Sequence, residues 1–164
     1  MRTGVRRRSI GAQRALGRRG DDPAVVDASL VGLVERVTRR MRDADRVGRT
    51  VTLRLRFADF SRAARAHTLD QATAETGIVL AAAQALLEEA RPEIAARGCT
   101  LVGVAVSNLA AADVVQLTLP FARRAPADLD GALDAVRQRF GGGALTPGGG
   151  CTHGEGLLVP VLPE

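Results

Sequence analysis

The sequence predicts an α+β domain: a four-stranded antiparallel sheet in the chain order β-α-β-β-α-β, with two helices on one face, then a short peptide, a third short helix and a flexible Gly-rich tail. Three observations predict it. Residues 49–57 and 100–109 alternate apolar with polar or small side chains at a period of two, as half-buried strands do. Two longer stretches, opening near Asp22 and Asp70, repeat apolar residues every three to four positions instead. Gly, Pro and Asp punctuate the joins.

"RRRSIGAQRAL", residues 6–16, reads as a strand entered from a basic linker, with Ile10 and Ala12 on one face. "GRRGDD" breaks it. Asp22 before Pro23 starts a helix in which Val26, Leu30, Leu33, Val34, Val37 and Met41 form the buried stripe, up to Gly48. "RTVTLRLRF", residues 49–57, turns Val51, Leu53, Leu55 and Phe57 inward and Thr50, Thr52, Arg54 and Arg56 outward. After the turn at residues 58–61, residues 62–69 form the returning strand of a hairpin.

Asp70 is expected to cap the second helix, which buries Ile78, Val79, Ala82, Ala83, Leu86, Leu87 and Ala90; Pro92 kinks it or starts a new turn, and Gly98 closes it. Residues 100–109 supply the fourth strand, with Val102, Val104 and Val106 on the core side and Gly103, Ala105 and Ser107 on the other. The strand order is left open. The third helix is expected to start at an Asp128 cap, bury Leu129, Leu133, Val136 and Phe140, and stop at Gly141. "DVVQLTLPF", residues 113–121, alternates like a strand, yet Pro120 cannot donate to a ladder; it is either an edge strand or a peptide that another protein takes up.

All 23 basic residues are arginine, a usage that a GC-rich coding sequence also produces, and they are unevenly placed. Residues 1–69 carry 17 Arg against 7 acids, while residues 70–164 carry 6 against 11. An Arg-rich front half suits a polyanion, and the alternative is an ordinary solvated surface. Two cysteines, Cys99 and Cys151, without metal-ligand spacing point to a reduced, cytoplasmic setting, nucleoid-associated if the partner is DNA. No apolar run approaches a bilayer-spanning length, and no secretion signal follows Met1, although the acid-free first 20 residues share their composition with transit peptides. A membrane partner is not expected.

With helices on one side, the other sheet face is wet. Arg54, Arg56 and Thr52 lie on it, Arg65 and His67 are expected beside them, and Ser9, Gly11, Gly103, Ala105 and Ser107 line the neighbouring strands. A smooth basic surface of this kind grips a sugar–phosphate backbone without reading bases. RNA-recognition modules share the element order but stack bases on aromatic residues of the central strands. Here there is no Trp or Tyr, and Phe57 has inward parity. Catalysis fares worse: the two histidines, His67 and His153, are far apart in sequence, and Cys151, Thr152 and His153 lie in the Gly-rich stretch. No active site, metal site or small-molecule substrate is expected.

"RRRSIGAQRAL", "RVGRTVTLRLRFADFSRAARAHTL" and "ARGCTLVGVAVSNL", in that order, resemble the little-finger domain of Y-family translesion DNA polymerases, closest to bacterial DNA polymerase IV; the resemblance continues through "QLTLPF" and "LDGALDAVRQRFG". It implies a domain that sits beside the catalytic core in the major groove of primer–template DNA. The positions that match are Arg8, Ser9, Ile10 and Gly11 on the first strand and Arg54 and Arg56 on the second. Arg65 and His67 fall where the family has Arg-x-Arg, with His67 the departure; Gly103 and Ser107 complete the expected DNA-binding set.

The resemblance also implies that Gln116, Leu117, Leu119 and Phe121 bind a sliding clamp. The family's palm carboxylate motifs are absent, so neither polymerase activity nor a cofactor is expected of this chain, Mg2+ belonging to an intact polymerase. Whether the chain is a fragment, a truncated product or a stand-alone relative is left open. The expected division is a basic linker over residues 1–8, the DNA-binding domain over 9–109, clamp peptide and short helix over 110–141, and a disordered tail over 142–164. The other function class is a protein-interaction domain that occupies the clamp without touching DNA.

Overall fold

The computed structural model describes residues 9–17, 22–112 and 126–141. Its elements are β1 (Ser9–Ala15), α1 (Pro23–Asp43), β2 (Arg46–Phe57), β3 (Arg62–Thr73), α2 (Thr76–Arg97), β4 (Cys99–Ser107), β5 (Ala110–Ala111) and α3 (Pro126–Phe140). The sheet order is β1-β4-β2-β3, every pair antiparallel, and β5 adds two residues beside the start of β2. The four-strand, two-helix α+β architecture is the one the periodicities predict.

Burial follows the alternation. Val51, Leu53, Leu55 and Phe57 of β2 and Val102, Val104 and Val106 of β4 form the floor of the core, and α1 and α2 cover it with Leu30, Val34, Val37, Met41, Val79, Ala83 and Leu87. β2 lies under both helices and β4 under α1, and β2 carries the larger inward side chains, Leu53, Leu55 and Phe57. Truncating a fully buried leucine such as Leu53 costs about 2–5 kcal/mol. The Asp22 carboxylate accepts from the Ala24 N–H at 2.9 Å and Pro23 fills the first turn of α1, which is why that helix starts where the sequence places it.

The structure corrects four boundaries. α1 stops at Asp43, since Asp45 adopts φ 50°, and the chain is already in β2 by Arg46. This early start is supported by β5, which pairs Ala111 with Arg46 and Ala110 with Val47. Gly48 is an inward-facing residue of β2: a Cβ there would lie 2.3 Å from Val106 Cγ1. β3 runs on to Thr73, which pairs with Gly48, so Asp70 belongs to a strand and caps nothing; α2 begins at Thr76. α2 passes through Pro92 as one element and ends at Gly98, where φ is 65°. Its last turn is held from outside: the Arg97 guanidinium stacks on the Phe57 ring at 4.3 Å and pairs with Asp59 at 2.8 Å, which offsets the missing N–H. Ile78 is 43% exposed, just outside the buried stripe.

α3 reverses its expected face. Leu129 and Phe140 are exposed, Leu133 and Val136 are half-buried, and the buried positions are Asp130 and Arg137; Asp128 lies inside the helix instead of capping it. The reason is charge complementarity. Arg42 Nε donates to Asp134 at 2.6 Å and its Nη1 lies 3.4 Å from Asp130, while Arg137 pairs with Glu35 at 3.1 Å. Asp130 also accepts the Thr76 N–H at 2.8 Å, so a carboxylate of α3 caps α2, whose own N-cap Glu75 makes no side-chain bond.

Candidate nucleic-acid interface

Residues directly paired across a sheet project to the same side, so the register lays the open face out as four rows. In the order β1, β4, β2, β3 the first row is Ser9, Ser107, Thr50, Thr68; the second is Gly11, Ala105, Thr52, Ala66; the third is Gln13, Gly103, Arg54, Ala64; the fourth is Ala15, Leu101, Arg56, Arg62. The first row is hydroxylic and tied together: Asn108 Nδ2 donates to Thr50 Oγ1 at 2.8 Å, and the Thr50 and Thr68 hydroxyls are 3.3 Å apart. The middle is low. A Cβ on Gly11 would meet Ala105 Cβ at 3.0 Å, and one on Gly103 would meet Gln13 Cβ at 3.1 Å, so a side chain at either position would crowd the neighbouring strand. The result is a shallow floor of small residues ending in guanidinium groups.

Arg54 and Arg62 are exposed and Arg56 is half-buried, its Nε donating to Thr100 Oγ1 at 3.3 Å. Among the described residues none of the three has a carboxylate partner within salt-bridge distance, whereas Arg65 has two, Glu93 and Glu89. This difference follows from the register. Arg65 is opposite Leu53 and His67 opposite Val51, so both fall on the helix-bearing side at the β3 edge, and the expectation that they sit beside Arg54 and Arg56 is corrected. Arg62 takes the place on the open face that sequence reasoning gave to Arg65. The signal lay in the turn: Arg56 pairs with Arg62, which fixes even-numbered residues of β3 to the open side. β3 has alanines on both faces, so its own alternation could not reveal that parity.

The turn joining β2 to β3 sits at the arginine end. The Phe57 N–H donates to Ser61 O at 3.0 Å and the Phe60 N–H to Phe57 O at 3.1 Å. Asp59 accepts from the Ser61 hydroxyl and from the Ser61 N–H at 3.0 Å, and Arg97 closes the other carboxylate oxygen. The Ser61 hydroxyl bond, followed by the Arg97 bond, holds the Asp59 carboxyl down at about 2.

Ser9, Gly11, Arg54, Arg56, Gly103 and Ser107 thus share one face. Arg8 and the clamp-peptide residues Gln116, Leu117, Leu119 and Phe121 lie outside the described residues, as does the expected tail over 142–164. Residues 7–119 match the family model of the impB/mucB/samB family C-terminal domain. The chain belongs to that family. This match bears out the resemblance to the little-finger domain of Y-family polymerases, closest to polymerase IV.

The relatives agree. DNA polymerase IV 2 of Mesorhizobium japonicum is 34% identical over 154 residues, which covers 86% of this chain and 37% of that protein. DNA polymerase IV of Moorella thermoacetica is 36% identical over 134 residues, covering 82% of this chain and 33% of that protein. The chain therefore spans about a third of the length of these curated relatives, and the part it matches is the C-terminal domain, not the catalytic palm. Among solved structures, the little-finger domain of polymerase IV in complex with the beta-clamp processivity factor has the same fold, with a TM-score of 0.50 at 19% identity, covering 71% of this chain and 96% of that one.

Proposed function

We propose that this chain is the non-catalytic DNA-binding module of a polymerase IV-like translesion polymerase, gripping the primer–template backbone and tethering to the sliding clamp. The observation that supports it most is the open sheet face, on which Arg54, Arg56 and Arg62 stand without acidic partners among the described residues beside a floor of small residues. Guanidinium forks pair bidentately with phosphate, and backbone-only contacts of this number give affinities of roughly 10⁻⁴–10⁻⁶ M at physiological salt. The chemistry of polymer extension needs palm carboxylates, so the module positions DNA and does not polymerise it.

Anisotropy titration with labelled primer–template DNA tests the grip: micromolar binding that weakens with salt is expected, and absence of binding at low salt refutes it. For the tether, Gln116, Leu117, Leu119 and Phe121 supply the anchoring amide and apolar side chains of the clamp peptide. Replacing Leu119 and Phe121 with Ala is expected to abolish clamp binding and spare DNA. Arg54→Glu with Arg56→Glu has the reverse pattern; if it leaves every activity of the chain intact, the domain is a clamp-occupying protein-interaction module instead.

A further inference from the structure

We propose that the turn between β2 and β3 presents Phe60 to an unpaired nucleobase at a single-strand–duplex junction, an inference that rests on the DNA-binding reading above. Phe60 is 80% exposed, more than any other large apolar side chain among the described residues. Its backbone holds φ 65°, a left-handed conformation that Gly or Asn adopts far more readily than Phe. The turn does not explain the ring. Its hydrogen bonds come from the Phe60 N–H and from Asp59, Ser61 and Arg97, all of which a smaller residue at position 60 would leave in place.

Those same bonds fix the backbone from which the ring projects, which lowers the entropic cost of binding to the freedom of one side chain. Arg62, two residues on, stands on the open face, with Arg56 opposite it in the register. A fixed aromatic beside guanidinium groups has the chemistry of a stacking platform: the cations hold phosphates while the ring covers the face of a base. Bases inside a duplex have no exposed face, which restricts the ligand to an unpaired one. The central strands supply no aromatic for this role; the turn supplies one.

The test uses two probes, a blunt duplex and the same duplex with a 5′ template overhang whose first unpaired base is 2-aminopurine. The wild-type chain is expected to quench the 2-aminopurine and to prefer the overhang. F60A is expected to lose the quenching and to bind the overhang about 5- to 150-fold more weakly, with blunt-duplex affinity unchanged. F60W restores the quenching and F60L does not, which separates stacking from simple apolar contact and from loss of fold. If F60A binds and quenches like the wild type while the blunt duplex is still bound, the nucleobase inference is overturned and the backbone grip stands. If the wild type binds neither probe, both fall.

Discussion

Arg62 and Arg65 are three residues apart in one strand, yet the register puts them on opposite sides of the sheet. If the open face is the phosphate-binding surface, Arg62→Ala and Arg65→Ala must differ in salt dependence, not merely in affinity. Three guanidinium groups on phosphates give a slope of log K against log salt of about −0.9 each, near −2.7 in all. Raising salt from 50 to 200 mM then weakens wild-type binding about 40-fold. Arg62→Ala removes one contact, bringing the slope to about −1.8 and the loss over the same range to about 12-fold. Arg65→Ala leaves the wild-type slope, because its guanidinium is engaged by Glu93 and Glu89 on the helix side. Anisotropy titrations at four or five salt concentrations resolve a change of 0.9 in slope. Equal slope changes in the two variants, or a change in Arg65→Ala alone, would refute the assignment of the open face.

Three further outcomes follow from the same geometry. Arg42→Ala leaves Asp130 and Asp134 without their cation at a partly buried site; a loss on the order of 1–3 kcal/mol is expected, less than for a fully buried pair, with amide exchange of residues 129–140 accelerating before that of the sheet. Asp59 has a folded pKa of about 2 against an ordinary 3.8, so what it contributes to the turn is complete above pH 4 and is lost as pH falls toward 2; an NMR titration of its carboxyl reads this directly, and Arg97→Ala raises the midpoint. Gly48→Ala drives a methyl against Val106 Cγ1, at 2.3 Å, and is expected to cost about 1–3 kcal/mol in denaturant unfolding.

The elements that were legible in the sequence are those whose burial is decided by one strong period. β2 and α1 each bury the apolar residues their alternation or helical spacing nominates, since a strand under two helices and a helix on a sheet have only one way to hide them. β3 was legible as a strand but not in its facing: with alanine at 63, 64 and 66, neither face is more apolar, and the turn geometry decides. α3 failed for a different reason. Its stripe of Leu129, Leu133, Val136 and Phe140 satisfies the helical rule for a core face, but the surface it meets offers Arg42, Glu35 and an open helix N-terminus. Which face docks depends on the partner surface, and that is a property of the fold and not of the helix. Asp70 lost its capping role because the ladder with β2 continues past it, and an extra pair of strand residues outweighs one cap.

The same distinction applies to charge. A surplus of arginine in the first 69 residues does not by itself create a polyanion site, because some of it is neutralised within the fold: Arg42 is held by the acids of α3, and Arg65 by those of α2. What a phosphate backbone meets is the charge left unneutralised on a surface it can reach. On the β2–β3 hairpin, parity sorts the arginines, since a carboxylate on a helix can only reach the side of the sheet that the helix covers. Arg54, Arg56 and Arg62 remain available to an external anion because no helix lies on their side among the described elements, and Arg65 does not, although it is nearer in sequence to Arg62 than Arg56 is. A one-residue slip of β3 against β2 would exchange Arg62 for Arg65 on the open face, so the hairpin register, fixed by the Phe57–Ser61 turn, helps determine the cationic face along with the arginines themselves.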